Sequence, residues 1–138
     1  MIAPLQIRVG AGDVDFSGFV HHAAHLRFME RARTELLREL GLEQRALAET
    51  EGILLVVRAM RIDIPGLARL DEELEVKTTV AGLGAATLEL EQKIFRGREP
   101  IVDARATVAV VCNGRPRRLP VELRETFERV AGEWAAKT

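Results

Sequence analysis

The hydrophobic period of this chain changes twice, and the two changes leave few folds open to it. Leu5-Gln6-Ile7-Arg8-Val9 alternates apolar and polar residues, the period of a half-buried strand. From about Ala23 the period lengthens. Leu26, Met29, Ala32, Leu36 and Leu40 recur every three or four residues, with Phe28 and Leu37 on the flanks. Arg27, Glu30, Arg31, Thr34, Glu35 and Arg38 make up the polar remainder, so the stretch is an amphipathic helix of about five turns. Arg31 and Glu35 have the spacing of an i,i+4 ion pair, and Gly41 stands where such a helix stops. Residues 43–51 read as a short second helix ended by Gly52.

From Ile53 the period returns to two. Residues 53–64 begin as an apolar run and then alternate, and residues 73–80, 88–94 and 101–112 alternate throughout. Pro65-Gly66, Gly82-Leu83-Gly84, residues 97–100 and Asn113-Gly114 supply the breaks. Residues 115–120 read as an extended return and residues 120–136 as a terminal amphipathic helix. One strand, one long helix, a meander of long antiparallel strands and a final helix make an α+β chain. One helix covers one face of such a sheet, and the other face stays charged and wet. Open strand edges then predict self-association.

At 138 residues the chain predicts a single domain over 1–138. An apolar share of 47% and a charged share of 30% suit a soluble, ordered protein. A formal charge of −1, with acids and bases interspersed, argues against nucleic acid as a partner. No apolar run is long enough for membrane insertion, and Met1-Ile2-Ala3-Pro4 lacks the features of a secretory leader. The lone cysteine, Cys112, ends an apolar run and reads as a small buried hydrophobe. A cytoplasmic location is expected on these grounds.

The chemistry is concentrated in residues 12–25, between the first strand and the long helix. This loop holds Asp13, Asp15, Gly12, Gly18 and all three histidines. A helix N-terminus offers N–H groups without intrahelical partners and the positive end of the dipole. An oxyanion developing beside a carboxylate is stabilised in such a place. Asp13 and Asp15 each suit a turn or cap as well. His21 and His25 share a helix face as zinc ligands do, but the helical Glu of the zinc-protease motif is missing, so no metal site is expected.

Asp13-Val14-Asp15-Phe16-Ser17-Gly18-Phe19-Val20-His21-His22, followed by Phe28-Met29-Glu30-Arg31-Ala32-Arg33-Thr34-Glu35, resembles the signature of hot-dog fold acyl-CoA thioesterases. Within them it is similar to the 4-hydroxybenzoyl-CoA thioesterase-like family, in its Tol–Pal-associated (YbgC-like) branch. Val56-Val57-Arg58-Ala59-Met60, Ala68-Arg69-Leu70-Asp71-Glu72 and Pro116-Arg117-Arg118-Leu119-Pro120 extend the resemblance to most of the chain. The resemblance implies a long central helix wrapped by a curved five-stranded antiparallel sheet, with a C-terminal helix. It implies a homodimer or homotetramer with sites between subunits. It puts the catalytic carboxylate on Asp15 and the oxyanion-binding N–H near His22. Gly18, Phe19, Val20, His25 and Met60 would meet the substrate. Coenzyme A would enter only as part of that substrate, with no other cofactor. Gly12, Phe16-Ser17 and Ala24-His25 depart from the usual pattern, and residues 82–86 lack the cation some relatives carry there.

The expected reaction is hydrolysis of an acyl-CoA to a carboxylic acid and CoA. Asp15 acts in it as nucleophile or general base, and the His22 side chain orients water or substrate. The alternatives are an aromatic substrate, hydroxybenzoyl- or dihydroxynaphthoyl-CoA, and a non-catalytic module that binds acyl groups or a partner.

Overall fold

In the computed structural model, which describes residues 4–137 and side chains to residue 131, the long helix α1 spans His22–Glu39. The three N-terminal residues behind the leader argument lie outside the described residues. α1 ends as its sequence requires. Gly41 takes φ +76°, its N–H donates to the Arg38 carbonyl at 3.0 Å, and the Leu42 N–H donates to the Leu37 carbonyl at 2.8 Å. These two bonds satisfy carbonyls that the last turn leaves open. The ion pair on its last turns differs from the expected one: Glu35 pairs with Arg38, three residues on, rather than with Arg31.

β1 is Leu5–Arg8, α2 Gln44–Glu51, β2 Ile53–Asp63, β3 Glu73–Leu83, β4 Thr87–Arg96, β5 Glu99–Cys112, β6 Arg115–Pro116 and α3 Val121–Lys137. The strands form one antiparallel sheet in the order β1-β3-β4-β5-β2. The two-residue β6 adds to β5, a pairing absent from the sequence reading of that segment. The turn expected over residues 97–100 is tighter, only Gly97-Arg98. Pro100 sits within β5, opposite Phe95, where the register shifts after Ile94. A proline lacks a ladder donor, and an irregular register is where a strand tolerates it. Further shifts at Val57/Ala59 and Val80/Gly82 add twist, which curves the sheet around α1.

The core has two parts along α1. Ala24, Phe28, Met29 and Ala32 pack with Ile7, Val9, Leu74, Val76, Ile94 and Ile101. Leu36 and Leu37 pack with Val80, Leu88, Leu90, Val108 and Val110, together with Leu123 and Phe127 of α3. The outer face carries charge: Glu75 pairs with Lys77, and Glu91 with Lys93 and Arg105. Gly66 marks a close backbone approach. A Cβ there would stand 2.6 Å from the Pro100 carbonyl oxygen and 3.0 Å from the Ile101 Cα. Gly66→Ala therefore destabilises by about 1–3 kcal/mol, the usual cost of overpacking, measurable as a lower urea midpoint.

β2 is an edge strand. Among the described residues it pairs only with β5, and Leu54, Val56 and Val57 are exposed on it. Among the described residues no helix is long and apolar enough to cross a membrane.

Candidate active site

Between β1 and α1 the chain first makes a 3-10 turn, Ala11–Asp13. It then makes a small hairpin. Val14 bridges Val20, the Asp15 N–H donates to the Phe19 carbonyl at 3.1 Å, and the Gly18 N–H donates to the Asp15 carbonyl at 3.0 Å. Gly18 takes φ +85°, a conformation that costs glycine nothing. The hairpin is pinned to the segment before β3. The Val20 N–H donates to the Ala68 carbonyl at 2.8 Å, and Phe19 bridges Arg69, whose guanidinium lies 5.0 Å from the Phe19 ring centroid. Phe16 is fully exposed at the tip.

The two aspartates have separate duties. Asp13 takes the structural one. Its Oδ2 accepts from the Gly10 N–H at 2.9 Å and its Oδ1 from Arg27 at 3.1 Å, while its carbonyl accepts from the His21 N–H at 2.9 Å. Asp15 Oδ1 accepts from the Ser17 N–H at 2.9 Å and from the Ser17 hydroxyl. These bonds, hydroxyl first, hold the Asp15 carboxyl below the usual carboxylate range, and His21 adds to the effect. Asp15 is exposed on the single chain.

At the start of α1 the donors are almost all used. His21 is the N-cap: its Nδ1 accepts from the Ala23 N–H at 3.1 Å. Its carbonyl accepts from the N–H groups of Ala24 at 2.9 Å and His25 at 3.4 Å. The His22 N–H has no partner among the described residues. The His22 ring is exposed and stacks on His21, with centroids 4.3 Å apart.

His25 turns the other way. It is 2% exposed, meets Phe28 edge-on at 5.9 Å, and its Nδ1 has no hydrogen-bond partner. Burial pushes its pKa down to about 4, so it is a neutral imidazole at pH 7. Val20 and Met60 pack against the core cluster that holds Ala24 and Phe28. The fold thus places Asp15, Gly18 and Phe19 on one hairpin and His22 at the first position of α1, with Val20 and Met60 partly buried against the same core cluster. His25 and His21 do not form the pair their spacing allows, because one is buried and the other caps the helix. Among the described residues no three His, Cys, Asp or Glu side chains are grouped to hold a metal ion.

Ser17 and Arg69 are parts of this loop that sequence reasoning missed. Ser two residues after Asp is the signal for the first, since that spacing suits an Asx turn. The second depends on a contact between segments fifty residues apart, which no local pattern reveals.

A family model described as the thioesterase-like superfamily matches residues 9–129. The chain belongs to the thioesterase-like superfamily. It is 37% identical over 128 residues to the acyl-CoA thioesterase YbgC of Haemophilus influenzae, covering 90% of this chain and 93% of that one. It is 40% identical to a probable thioesterase from Bartonella henselae of known structure, with TM-score 0.81 and coverage of 85% and 98%. A Thermus thermophilus thioesterase crystallised with coenzyme A and zinc is 26% identical, with TM-score 0.82 and coverage of 94% and 95%. The superfamily's arrangement, a hot-dog fold, is the one described above. As a member of it, this chain is a thioester hydrolase.

Proposed function

We propose that this thioesterase-superfamily member hydrolyses acyl-CoA thioesters, using Asp15 and the backbone N–H of His22. The observation that carries the reading is the His22 N–H, the one first-turn donor of α1 without a partner among the described residues, at the helix end that the hairpin bearing Asp15 leads into, with Ser17 holding the Asp15 carboxyl below its usual range. The thioester carbonyl oxygen takes the His22 N–H as negative charge builds on it, aided by the dipole of α1. Asp15 then acts in one of two ways. As nucleophile, its oxygen bonds to the carbonyl carbon, the C–S bond breaks, CoA leaves as thiolate, and water hydrolyses the mixed anhydride. As general base, it takes a proton from the water that attacks. Both routes end in a carboxylic acid and CoA. A thiolate leaves readily, so neither needs a strong acid, a metal or a redox cofactor.

The His22 ring, at the surface beside the donor, orients water or substrate. Gly18 and Phe19 form the loop wall. Val20 and Met60 face the acyl group, whereas His25, buried on the single chain, does not reach it. The exposure of Asp15 on the single chain and the open, apolar β2 edge both support a homodimer or homotetramer that encloses the site. We assign the enzyme to the cytoplasm, where acyl-CoA is available and the single Cys112 stays reduced.

The test is a panel of aliphatic and aromatic acyl-CoAs with a thiol reagent, run beside sedimentation velocity on the same sample. CoA release from aliphatic thioesters by a dimer or tetramer is expected. Release from hydroxybenzoyl- or dihydroxynaphthoyl-CoA alone redirects the reading to an aromatic substrate. No release from any thioester overturns it in favour of a module that only binds.

A further inference from the structure

The hairpin that carries Asp15 is seated on the peptide unit between Ala68 and Arg69. The Ala68 carbonyl of that unit accepts from the Val20 N–H at 2.8 Å. The Arg69 N–H of the same unit donates to Glu72 Oε1 at 2.5 Å. A trans peptide is planar, with its N–H and C=O on opposite sides, so the two bonds leave one rigid unit in opposite directions. Glu72 therefore sets the direction in which the acceptor for Val20 points. A charged acceptor on the N–H also polarises the unit and strengthens the bond that its carbonyl receives.

Glu72 is itself held at both ends. Arg96, the last residue of β4, donates through Nη1 to Glu72 Oε1 at 2.7 Å and to Oε2 at 2.8 Å. The same nitrogen donates to the Leu67 carbonyl at 2.8 Å, one peptide before the seat. The other Arg96 nitrogen, Nη2, is engaged by Glu99. The Arg96 and Glu72 side chains are 29% and 28% exposed, and several bonds on one shielded carboxylate hold better than an isolated surface pair. On the backbone side, the Glu72 carbonyl accepts from the Val9 N–H at 2.9 Å, and the Asp71 N–H donates to the Val9 carbonyl at 2.9 Å. The main chain of Glu72 is thus tied to the end of β1 and its carboxylate to the end of β4.

Val20 stands between the two groups assigned to the reaction. Before it in the chain, Val14 bridges it and the next residue, Asp15, donates its N–H to the Phe19 carbonyl. Two residues after it comes His22, the first residue of α1. A turn of the Ala68 carbonyl moves Val20, and with it the distance and angle between the carboxylate and the oxyanion donor. We infer that Glu72 is a positioning residue for the hydrolysis: through the Ala68–Arg69 peptide it fixes Val20, and through Val20 the setting of Asp15 against the His22 N–H. Arg96 serves the same end by holding both Glu72 oxygens. This role rests on the proposed function, whereas the hold of Glu72 on the hairpin does not.

Amide hydrogen exchange by NMR and steady-state kinetics, on the same variants of the full chain, test it. Glu72→Ala is expected to speed exchange at Val20 and Asp15 about tenfold, the worth of one lost hydrogen bond, and to speed it far less at Leu90 and Ala106, paired in the middle of β4 and β5. Its kcat for octanoyl-CoA is expected to fall about tenfold to a hundredfold with KM little changed, because misplaced reacting groups cost rate rather than binding. Glu72→Gln keeps an oxygen for the Arg69 N–H and is expected to recover most of the lost kcat and the slow exchange at Val20. Arg96→Met leaves Glu72 in place but free to swing. It is expected to show both effects at smaller size, and it carries the test if Glu72→Ala does not fold. Exchange that rises equally at Val20 and Leu90 overturns the inference, as does a kcat that holds while Val20 loosens, or a Gln variant as slow as the Ala variant. Loosening confined to residues 14–20, in a protein whose wild type releases no CoA from any thioester, overturns the proposed function and leaves the hold of Glu72 on the hairpin standing.

Discussion

Asp15→Asn is expected to lower kcat by about a hundredfold to ten-thousandfold, the range that a positioned acid–base group contributes. The fold is expected to survive, with a melting temperature within about 2 °C of wild type, because exposed substitutions shift stability little. The amide oxygen of Asn still accepts the Ser17 N–H, so the hairpin keeps its shape while the nucleophile or base is gone. Steady-state hydrolysis beside a thermal melt checks both halves. An unchanged rate would remove Asp15 from the reaction. Ser17→Ala is the companion variant. The Ser17 hydroxyl is the largest influence holding the Asp15 carboxyl down, so its loss moves the acid limb of kcat/KM to higher pH.

The second large effect is on stability. His25 is buried, neutral and held at a pKa of about 4, against 6.5 for a free histidine. Between these values the unfolded chain binds a proton at His25 and the folded chain does not. The contribution is thus fully present above pH 6.5 and is lost as the pH falls toward 4. The loss amounts to about 3 kcal/mol across that interval, at about 1.4 kcal/mol per pH unit. His25→Leu is expected to flatten this part of the curve, whatever it does to stability at pH 7. Urea denaturation of both proteins from pH 7 to pH 4 measures the difference in slope. Parallel curves would mean that His25 titrates in the folded protein as it does in water.

These two effects meet in the acid range. Asp15 stays ionised well into the interval where His25 begins to destabilise the fold. The urea midpoint is therefore expected to fall between pH 6.5 and pH 4 while the rate of the folded enzyme holds until Asp15 takes up its proton at lower pH.

The long helix, its stop at Gly41, the alternating strands and the charged outer face were all legible in residue order. Each depends on local period or on one residue's backbone freedom, and those are properties of neighbours in sequence. The loop of residues 12–25 was legible as a place of chemistry for the same reason, since two carboxylates and three histidines lie together at a helix start. Their division of labour was not. His21 spends its Nδ1 on the cap and His25 is turned into the core, so in the first turn only the His22 N–H is left without a partner among the described residues. That outcome depends on the entry angle of the chain into α1, which the Asp13 carbonyl sets by accepting the His21 N–H.

Other contacts belong to the tertiary structure alone. Arg69 reaches Phe19 across fifty residues, and Arg33 reaches Gln92 across fifty-nine. Hydrophobic period says which face of a helix or strand is buried, but not which buried faces meet. Gln92 shows the limit most clearly: its place in the alternation points it inward, yet only the packed sheet supplies the three partners that make burying an amide tolerable. Distance along the chain does not determine distance in space, and packing free energy is gained only once remote faces have closed on one another.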